Sequence, residues 1–248
     1  MASPWNRPKG RVFVASTTDL FEAEGDFLFD PPPLINGTDD RFMRISSTAY
    51  AEYGLTDHWQ THFKIAYSTA TITTAFSTSQ ADGLAEIEGG LQRSLRRGAT
   101  SSLAMAVSVG RQNSLGAGVR PQLASDGIDG ELRFLFGKTL RTRKPALFTT
   151  AEIAYRRRFG TPADQIRADV KLGIDVNSRV LLLIDAFNTV SLRNEAIGGA
   201  DFDVVKIQPS IVFRVRKSWR LQAGFNAEIA GRNLARGRSV LISLWSEF

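Results

Sequence analysis

The sequence of 248 residues contains no cysteine. It therefore has no disulfide framework, no thiolate metal site and no cysteine nucleophile. Long apolar runs are also missing, since the longest purely aliphatic stretch is Val180 to Ile184. A transmembrane helix needs about 20 mostly apolar residues. If this chain crosses a bilayer, a closed β-barrel is the architecture left to it.

The N-terminus and the net charge give little information about location or partners. The N-terminal stretch from Met1 to Trp5 has neither the basic region nor the apolar region of a signal peptide. We interpret the sequence as a mature form with an added start methionine. The net charge of +6 is compatible with nucleic acid or anionic lipid as a partner. Because the basic residues are scattered and form no block, we expect no nucleic-acid partner.

Alternation of apolar and polar residues dominates the chain. In Ile166–Val176 every even position is apolar and every odd position is charged or glycine, which predicts a strand with two different faces. The same pattern predicts strands at Trp59–Tyr67 and Leu221–Ile229. The other predicted strands are Arg11–Thr18, Arg41–Tyr53, Leu84–Leu95, Leu103–Val109, Ile128–Phe136, Leu147–Phe159, Arg179–Val190, Val205–Val215 and Ser239–Phe248.

Two positions complicate this pattern. Leu84–Leu95 also carries a helical spacing of leucines and isoleucine, but the pair Gly89-Gly90 in its middle is costly in a helix, so we predict a strand. Pro209 removes a ladder donor from the tenth strand, and we expect it to mark a bulge.

The connections alternate in length. Tight turns are predicted near residues 56–57, 97–98, 177–178 and 217–218, and longer links at 20–40, 71–82, 112–126 and 191–201. Short turns on one side and long loops on the other are typical of outer-membrane barrels. The predicted fold is an all-β, closed antiparallel up-and-down transmembrane β-barrel of about twelve strands. It is one domain over residues 1–248, in which residues 1–10 form a periplasmic N-terminal segment.

The positions of the tryptophans support an orientation in which the short turns face the periplasm. Trp59, Trp219 and Trp245 fall at the periplasmic ends of strands, where a girdle is expected, although Trp245 has inward parity. A soluble β-sandwich or lipocalin-like barrel alternates as well. Twelve long strands favour the membrane barrel, because one closed barrel of that size has a lumen too wide for side chains to fill.

Two stretches resemble outer-membrane porins and channels of Gram-negative bacteria. Tyr50 to Trp59 resembles their strand, periplasmic turn and next strand. At the C-terminus, Val240, Ile242, Leu244 and Phe248 resemble the terminal signal read by the barrel-assembly machinery, and Ser246 departs from it. The resemblance implies a bacterial outer-membrane location, with membrane lipid, lipopolysaccharide and the barrel-assembly machinery as partners.

If the apolar parity faces lipid, the charged parity lines the lumen, because a charge facing lipid costs roughly 2–4 kcal/mol at the midplane. The predicted basic lining residues are Arg44, Lys64, Arg133, Arg156, Arg158, Arg167, Lys171, Lys206 and Arg214. The predicted acidic lining residues are Glu52, Glu86, Glu88, Asp129, Glu131, Glu152, Asp169, Asp175 and Glu228. They form either salt-bridge ladders that narrow the barrel or a selectivity track for anions.

Three functions follow from these alternatives. The first is a channel for small polar, anionic solutes such as oligosaccharides. The second is a plugged barrel with a structural, adhesive or polysaccharide-export role. The third is a lipid-modifying enzyme, which we do not expect, because neither His58 nor His62 has a serine at a catalytic spacing. We expect no cofactor and no metal site.

Overall fold

A computed structural model describes residues 3–26, 41–74, 76–112, 127–160, 162–193 and 201–248. Its strands are β1 (Val12–Asp26), β2 (Arg41–Gly54), β3 (Trp59–Thr73), β4 (Thr78–Arg97), β5 (Ser101–Gln112), β6 (Gly127–Arg141), β7 (Ala146–Phe159), β8 (Gln165–Asp175), β9 (Val180–Ser191), β10 (Asp203–Arg214), β11 (Trp219–Arg232) and β12 (Ala235–Glu247). Within the described ranges, no helix has the length and apolar character needed to cross a bilayer.

The strands close into one antiparallel barrel in sequence order. Each strand pairs with its sequence neighbours, and β1 closes the ring by pairing with β12 from Phe13↔Glu247 to Asp26↔Ala235. Closure satisfies the backbone donors and acceptors of both terminal strands, which a bilayer requires. The predicted fold class and the count of twelve strands are confirmed.

The two faces of the barrel have opposite chemistry. Large apolar side chains point outward and stay exposed, among them Phe63, Ile153, Val170 and Ile242. Charged side chains such as Glu52 and Asp185 are buried inside. A soluble barrel has the reverse arrangement. A continuous apolar outer surface of this kind matches a lipid-facing band and exceeds the apolar patches that soluble monomers expose.

One predicted link is wrong, and the predicted link 20–40 begins too early, because β1 continues to Asp26. Residues 71–82 are not a long loop, because β3 runs to Thr73 and β4 begins at Thr78. The Thr74 amide donates to the Ser77 carbonyl at 2.8 Å, which closes a tight turn. The threonine- and serine-rich sequence suggested a loop, yet β-branched threonine suits a strand. Most of the other predicted long links lie in residues 27–40, 113–126 and 194–200, outside the described residues.

Pro209 does not mark a bulge. Its strand keeps one register with β11 from Ile207↔Ala227 to Ser210↔Gly224, and the register shift lies earlier, between Val205 and Lys206. The pairing with β11 simply skips residues 208 and 209. Pro209 has no amide hydrogen to donate, and the β10–β11 ladder accommodates this by leaving residues 208 and 209 unpaired. The strand contains no extra residue at this point.

The C-terminal residue closes the barrel seam. The Phe248 amide donates to the Val12 carbonyl at 2.9 Å, and the Phe248 carbonyl accepts from the Val12 amide at 3.1 Å. Its ring lies outside, edge-on to Trp219 at 6.3 Å. Val240, Ile242 and Leu244 also point outward.

We expect the substitution Phe248→Ala to reduce assembly in cells more than it reduces the stability of refolded protein. It removes the aromatic end of the resemblance to the assembly signal but keeps both backbone hydrogen bonds, and one interfacial side chain contributes about 3 kcal/mol at most. Surface-exposed folded protein in cells and urea unfolding in vesicles measure the two effects. Phe248→Tyr is the control, and equal losses in both assays would assign the ring a packing role.

Candidate functional site

The lumen brings the predicted charged residues together. The nine basic and nine acidic residues assigned by parity all lie on the inner face. Seventeen of them form ion pairs, and the Arg44 guanidinium lies over the Phe21 ring at 5.1 Å. Their transport role remains a prediction. The pairing itself means that much of the lumen charge is neutralised locally.

Arg133 is the centre of this network. Its guanidinium donates to Glu131 at 2.6 Å and 2.8 Å, to Glu152, and to Asp169 at 3.3 Å. Glu131 also accepts from Arg156 at 2.9 Å and from Arg167 at 3.2 Å. One cluster thus joins β6, β7 and β8. Its members are largely buried, so each charge depends on its partners.

Other pairs extend around the wall. Lys64 contacts Glu86 at 2.5 Å, Lys206 contacts Glu228 at 2.8 Å, and Arg214 contacts Asp175 at 2.8 Å. A further contact crosses the lumen, because Arg156 on β7 approaches Glu88 on β4 at 3.5 Å although these strands are not neighbours. The Arg156 side chain therefore narrows the passage on this side.

Basic and acidic partners differ in their exposure to the lumen. In the Lys171–Asp185 pair the side chains are 21% and 1% exposed, and in the Lys206–Glu228 pair they are 31% and 3% exposed. The Arg167–Glu131 pair is similar, at 27% and 5%. At these three pairs the long basic side chain reaches inward and the short carboxylate stays at the wall, so that an ion meets positive charge first. The order is reversed at the Arg156–Glu88 pair, where the side chains are 9% and 18% exposed.

Sequence reasoning missed several charged residues that the described strands place on the inner face. Asp185 is on β9 beside Lys171, and Arg7, Arg220 and Glu247 form a group near the periplasmic end. The aliphatic run at 180–184 obscured the alternation that would have revealed Asp185. Arg220 and Glu247 do have inward parity, which was a usable signal.

The N-terminal segment, residues 3–10, crosses the opening at the end of the barrel where both chain ends lie. We predict that this end faces the periplasm, and we call it the periplasmic end. The Gln92 amide on β4 donates to the Ser3 carbonyl at 2.7 Å and to Asn6 at 2.9 Å, and the Ser102 hydroxyl on β5 donates to the Pro4 carbonyl at 2.7 Å. These polar partners explain the inward path, because a buried backbone carbonyl must be satisfied.

Arg7 binds the other end of the N-terminal segment to the barrel wall. Its backbone amide donates to the Gln60 side-chain oxygen at 2.8 Å, and its guanidinium contacts Glu52 at 2.7 Å and Glu247 at 2.8 Å. Glu52 is 1% exposed. The N-terminal segment thus contacts β2, β3 and β12 at one end and β4 and β5 at the other, so that it spans the opening.

Two glycines make room for the N-terminal segment. A Cβ atom at Gly54 would lie 2.1 Å from the Pro8 carbonyl oxygen, and one at Gly137 would lie 2.5 Å from Pro4 and from the Trp5 ring. No side chain fits at such distances, so close approach of the segment requires glycine at both positions.

Above the N-terminal segment lies a cavity of about 480 Å³. Its charged lining consists of Arg7, Lys64, Arg133, Arg156, Arg167, Lys171, Arg220, Glu88, Glu131, Asp169 and Asp185, which is seven basic and four acidic side chains. Its apolar lining includes Phe13, Phe187, Leu241 and Trp245. The cavity therefore combines an excess of basic side chains with aromatic side chains.

The tryptophans divide between the two faces. Trp59 and Trp219 point outward at the periplasmic end and are 40% and 39% exposed. Trp245 is not a girdle residue. Its indole donates to the Ser243 hydroxyl at 3.0 Å and lies edge-on to Phe13 at 6.1 Å inside the lumen, as its inward parity requires.

His62 also lies in the lumen. Its ring stacks on Tyr50 with centroids 6.4 Å apart, and its Nε2 is 3.7 Å from Glu88. Gly90 faces the ring closely, since a Cβ there would lie 2.4 Å from His62 Cε1. These contacts hold His62 away from the lipid boundary.

A separate polar cluster lies outside at the opposite end of the barrel. Asp164, in the connection between β7 and β8, accepts hydrogen bonds from the Tyr155 hydroxyl at 2.5 Å, the Arg158 amide at 3.0 Å and Arg157 at 2.7 Å. The hydrogen bond from Tyr155, with those from Arg158 and Arg157, lowers the pKa of Asp164 to about 2. Arg157 is an outward residue in a surface pair, which makes it a useful control.

No family model and no curated protein sequence matches the chain. Solved structures do resemble it. An outer-membrane channel of Pseudomonas putida F1 matches with a TM-score of 0.78 at 14% identity, over 100% of this chain and 99% of that one. The NanC porin matches with a TM-score of 0.59 at 7% identity, over 93% and 98%. The translocator domain of the autotransporter NalP from Neisseria meningitidis matches at 0.57 and 11%, over 98% and 90%. The chain has the fold of outer-membrane β-barrel proteins.

Proposed function

We propose that this protein is a bacterial outer-membrane channel for small anionic solutes, which its own N-terminal segment closes on the periplasmic side. Two of the similar structures are an outer-membrane channel and a porin, and this supports a channel role. The observation that carries the anionic preference is the exposure difference within the pairs of Arg167, Lys171 and Lys206, such as 21% for Lys171 against 1% for Asp185.

The cavity supports this proposal in a second way. Its lining has seven basic and four acidic side chains, so its surface carries an excess of positive charge. Walls of low dielectric constant focus such a field, and arginine guanidinium groups suit carboxylate, sulfate or phosphate groups. Acidic oligosaccharides fit this chemistry, because the aromatic side chains of the lining offer contact area for a sugar ring.

A test of selectivity uses two basic residues on β8. We expect Arg167→Gln with Lys171→Gln to lower the preference for chloride over potassium several-fold, because the buried partners Glu131 and Asp185 then lack their exposed cations. Reversal potentials in asymmetric KCl, recorded in planar bilayers, measure the preference.

Arg157→Gln is the matched control for this test. It removes one positive charge from a strand, against two in the double variant, but its side chain points outward and is 59% exposed, so the reversal potential should stay that of the parent. If the double variant also behaves like the parent, the lumen bases do not select the permeating ion. Folded protein that never conducts, even with the N-terminal segment removed, would contradict the channel itself.

The second candidate function is a permanently occluded barrel with a structural, adhesive or polysaccharide-export role. The network around Arg133 and the N-terminal segment across the mouth favour it. An enzymatic role has less support, because the stacking of His62 on Tyr50 keeps it inside the lumen, where it does not meet a lipid substrate at the bilayer boundary.

A further inference from the structure

Exposed basic residues surround the periplasmic end of the barrel. We define the basic rim as Arg96, Arg143, Lys144, Arg179, Arg216 and Lys217, all of which are exposed. They lie at or beside four successive turns, β4–β5, β6–β7, β8–β9 and β10–β11. In the described part of the chain, no ion pair joins any of the six to a carboxylate. The rim is thus a set of uncompensated positive charges.

The rim borders the lipid-facing surface. Arg96 follows the exposed Leu95, and Arg216 and Lys217 lie between the exposed Val215 and Trp219. Outward aromatic residues of such barrels lie at the level of the lipid headgroups. Because the turns are short, their basic side chains remain near that level, where they can extend toward headgroup phosphates.

We propose that the basic rim binds anionic phospholipid headgroups of the phosphatidylglycerol class in the inner leaflet of the outer membrane. Lysine and arginine at an anionic lipid surface are attracted to it over about a Debye length. The proposal concerns the outside of the barrel and holds whether or not the lumen conducts.

The distribution of the rim favours lipid over an acidic protein. Its charges are spread over four turns along the perimeter, as an annulus of lipid would contact them. A protein partner would cover one contiguous face, and the centre of this end already holds the N-terminal segment. A soluble acidic partner is therefore the outcome that the test must separate.

Quenching of tryptophan fluorescence by brominated lipids measures which lipids contact the outside of the barrel. Trp59 and Trp219 are the outward tryptophans at this end, while Trp5 and Trp245 lie inside. In phosphatidylcholine vesicles at low salt, we expect dibrominated phosphatidylglycerol to bind roughly fivefold more strongly than dibrominated phosphatidylcholine, the preference that one cation at an anionic surface confers. The preference should fall in high salt.

Replacing all six rim residues by glutamine should lower this preference toward one, because six uncompensated positive charges would be removed. So many changes in turns can impair folding, and the smaller variant Arg216→Gln with Lys217→Gln is therefore a second test. It should lose part of the lipid preference, and the quenching of the neighbouring Trp219 should change most. Arg111→Gln with Arg236→Gln, at the opposite end of the barrel, is the control and should keep the parent preference.

Three outcomes overturn the proposal. They are equal binding of both lipids by the parent, an unchanged preference in a folded rim variant, and binding of soluble polyglutamate by the detergent-solubilised protein without any lipid preference. The last result would assign the rim to an acidic protein partner.

Discussion

Displacing the N-terminal segment is expected to raise single-channel conductance several-fold. The double variant Gly54→Ala with Gly137→Ala does this without removing a charge, because the new Cβ atoms would lie 2.1 Å from the Pro8 carbonyl oxygen and 2.5 Å from Pro4. Neither backbone nor ring can yield enough at these distances, so the segment must leave the mouth. Planar-bilayer recordings of parent and variant give the measurement.

Gly89→Ala is the matched control for this experiment. It adds the same methyl group to a barrel strand, but the nearest atom lies 3.9 Å away, so conductance should not change. A chain beginning at residue 9 provides the extreme case, in which Glu52 also loses its partner Arg7. If the double variant and the truncated chain both conduct like the parent, residues 3–8 do not limit the passage, and the occluded barrel becomes the better account.

The parts of this fold that repeat with a period of two were predictable from sequence. A strand fixes which residues share a face, and the cost of a charge against lipid fixes which face points inward. Alternation in Ile166–Val176 therefore assigned Arg167, Asp169 and Lys171 to one face, and all three line the inner cavity. It also predicted the number of strands, because each strand carries its own copy of the pattern.

The N-terminal segment could not be predicted in this way. It has no period, and the bonds that hold it join residues far apart in sequence, such as Ser3 with Gln92 and Pro4 with Ser102. Gly54 and Gly137 gave no signal alone, since glycine is common at turns and strand ends. Only the closed barrel brings these residues to one opening.

Uniformly apolar stretches were the second source of error. In the run at 180–184 both faces are apolar, because Leu181 and Leu183 point inward and pack with Val212 as an apolar patch of the lumen. The alternation of apolar and polar residues then does not distinguish the inner face from the outer face. For this reason the charged residue that follows, Asp185, was missed. The same patch contacts Trp245, which explains why an aromatic residue near the chain end lies inside the barrel.

The largest expected loss of stability follows removal of Arg133. In Arg133→Leu, the carboxylates of Glu131, Glu152 and Asp169 lose a shared partner while remaining 3–5% exposed. Breaking a buried ion pair by removing one partner costs about 3–5 kcal/mol, because the remaining charge is uncompensated. Urea unfolding in lipid vesicles, followed by tryptophan fluorescence, measures the change in the free energy of unfolding.

Arg157→Leu again serves as the comparison. Its pair with Asp164 lies at the surface, where solvent screens an ion pair so that it adds little stability, and Asp164 keeps its bonds from Tyr155 and the Arg158 amide. The double variant Arg133→Leu with Glu152→Leu should recover part of the loss, because it removes one of the stranded charges together with the cation. Equal effects of Arg133→Leu and Arg157→Leu would show that water in the lumen screens the inner network as fully as bulk solvent screens the surface pair.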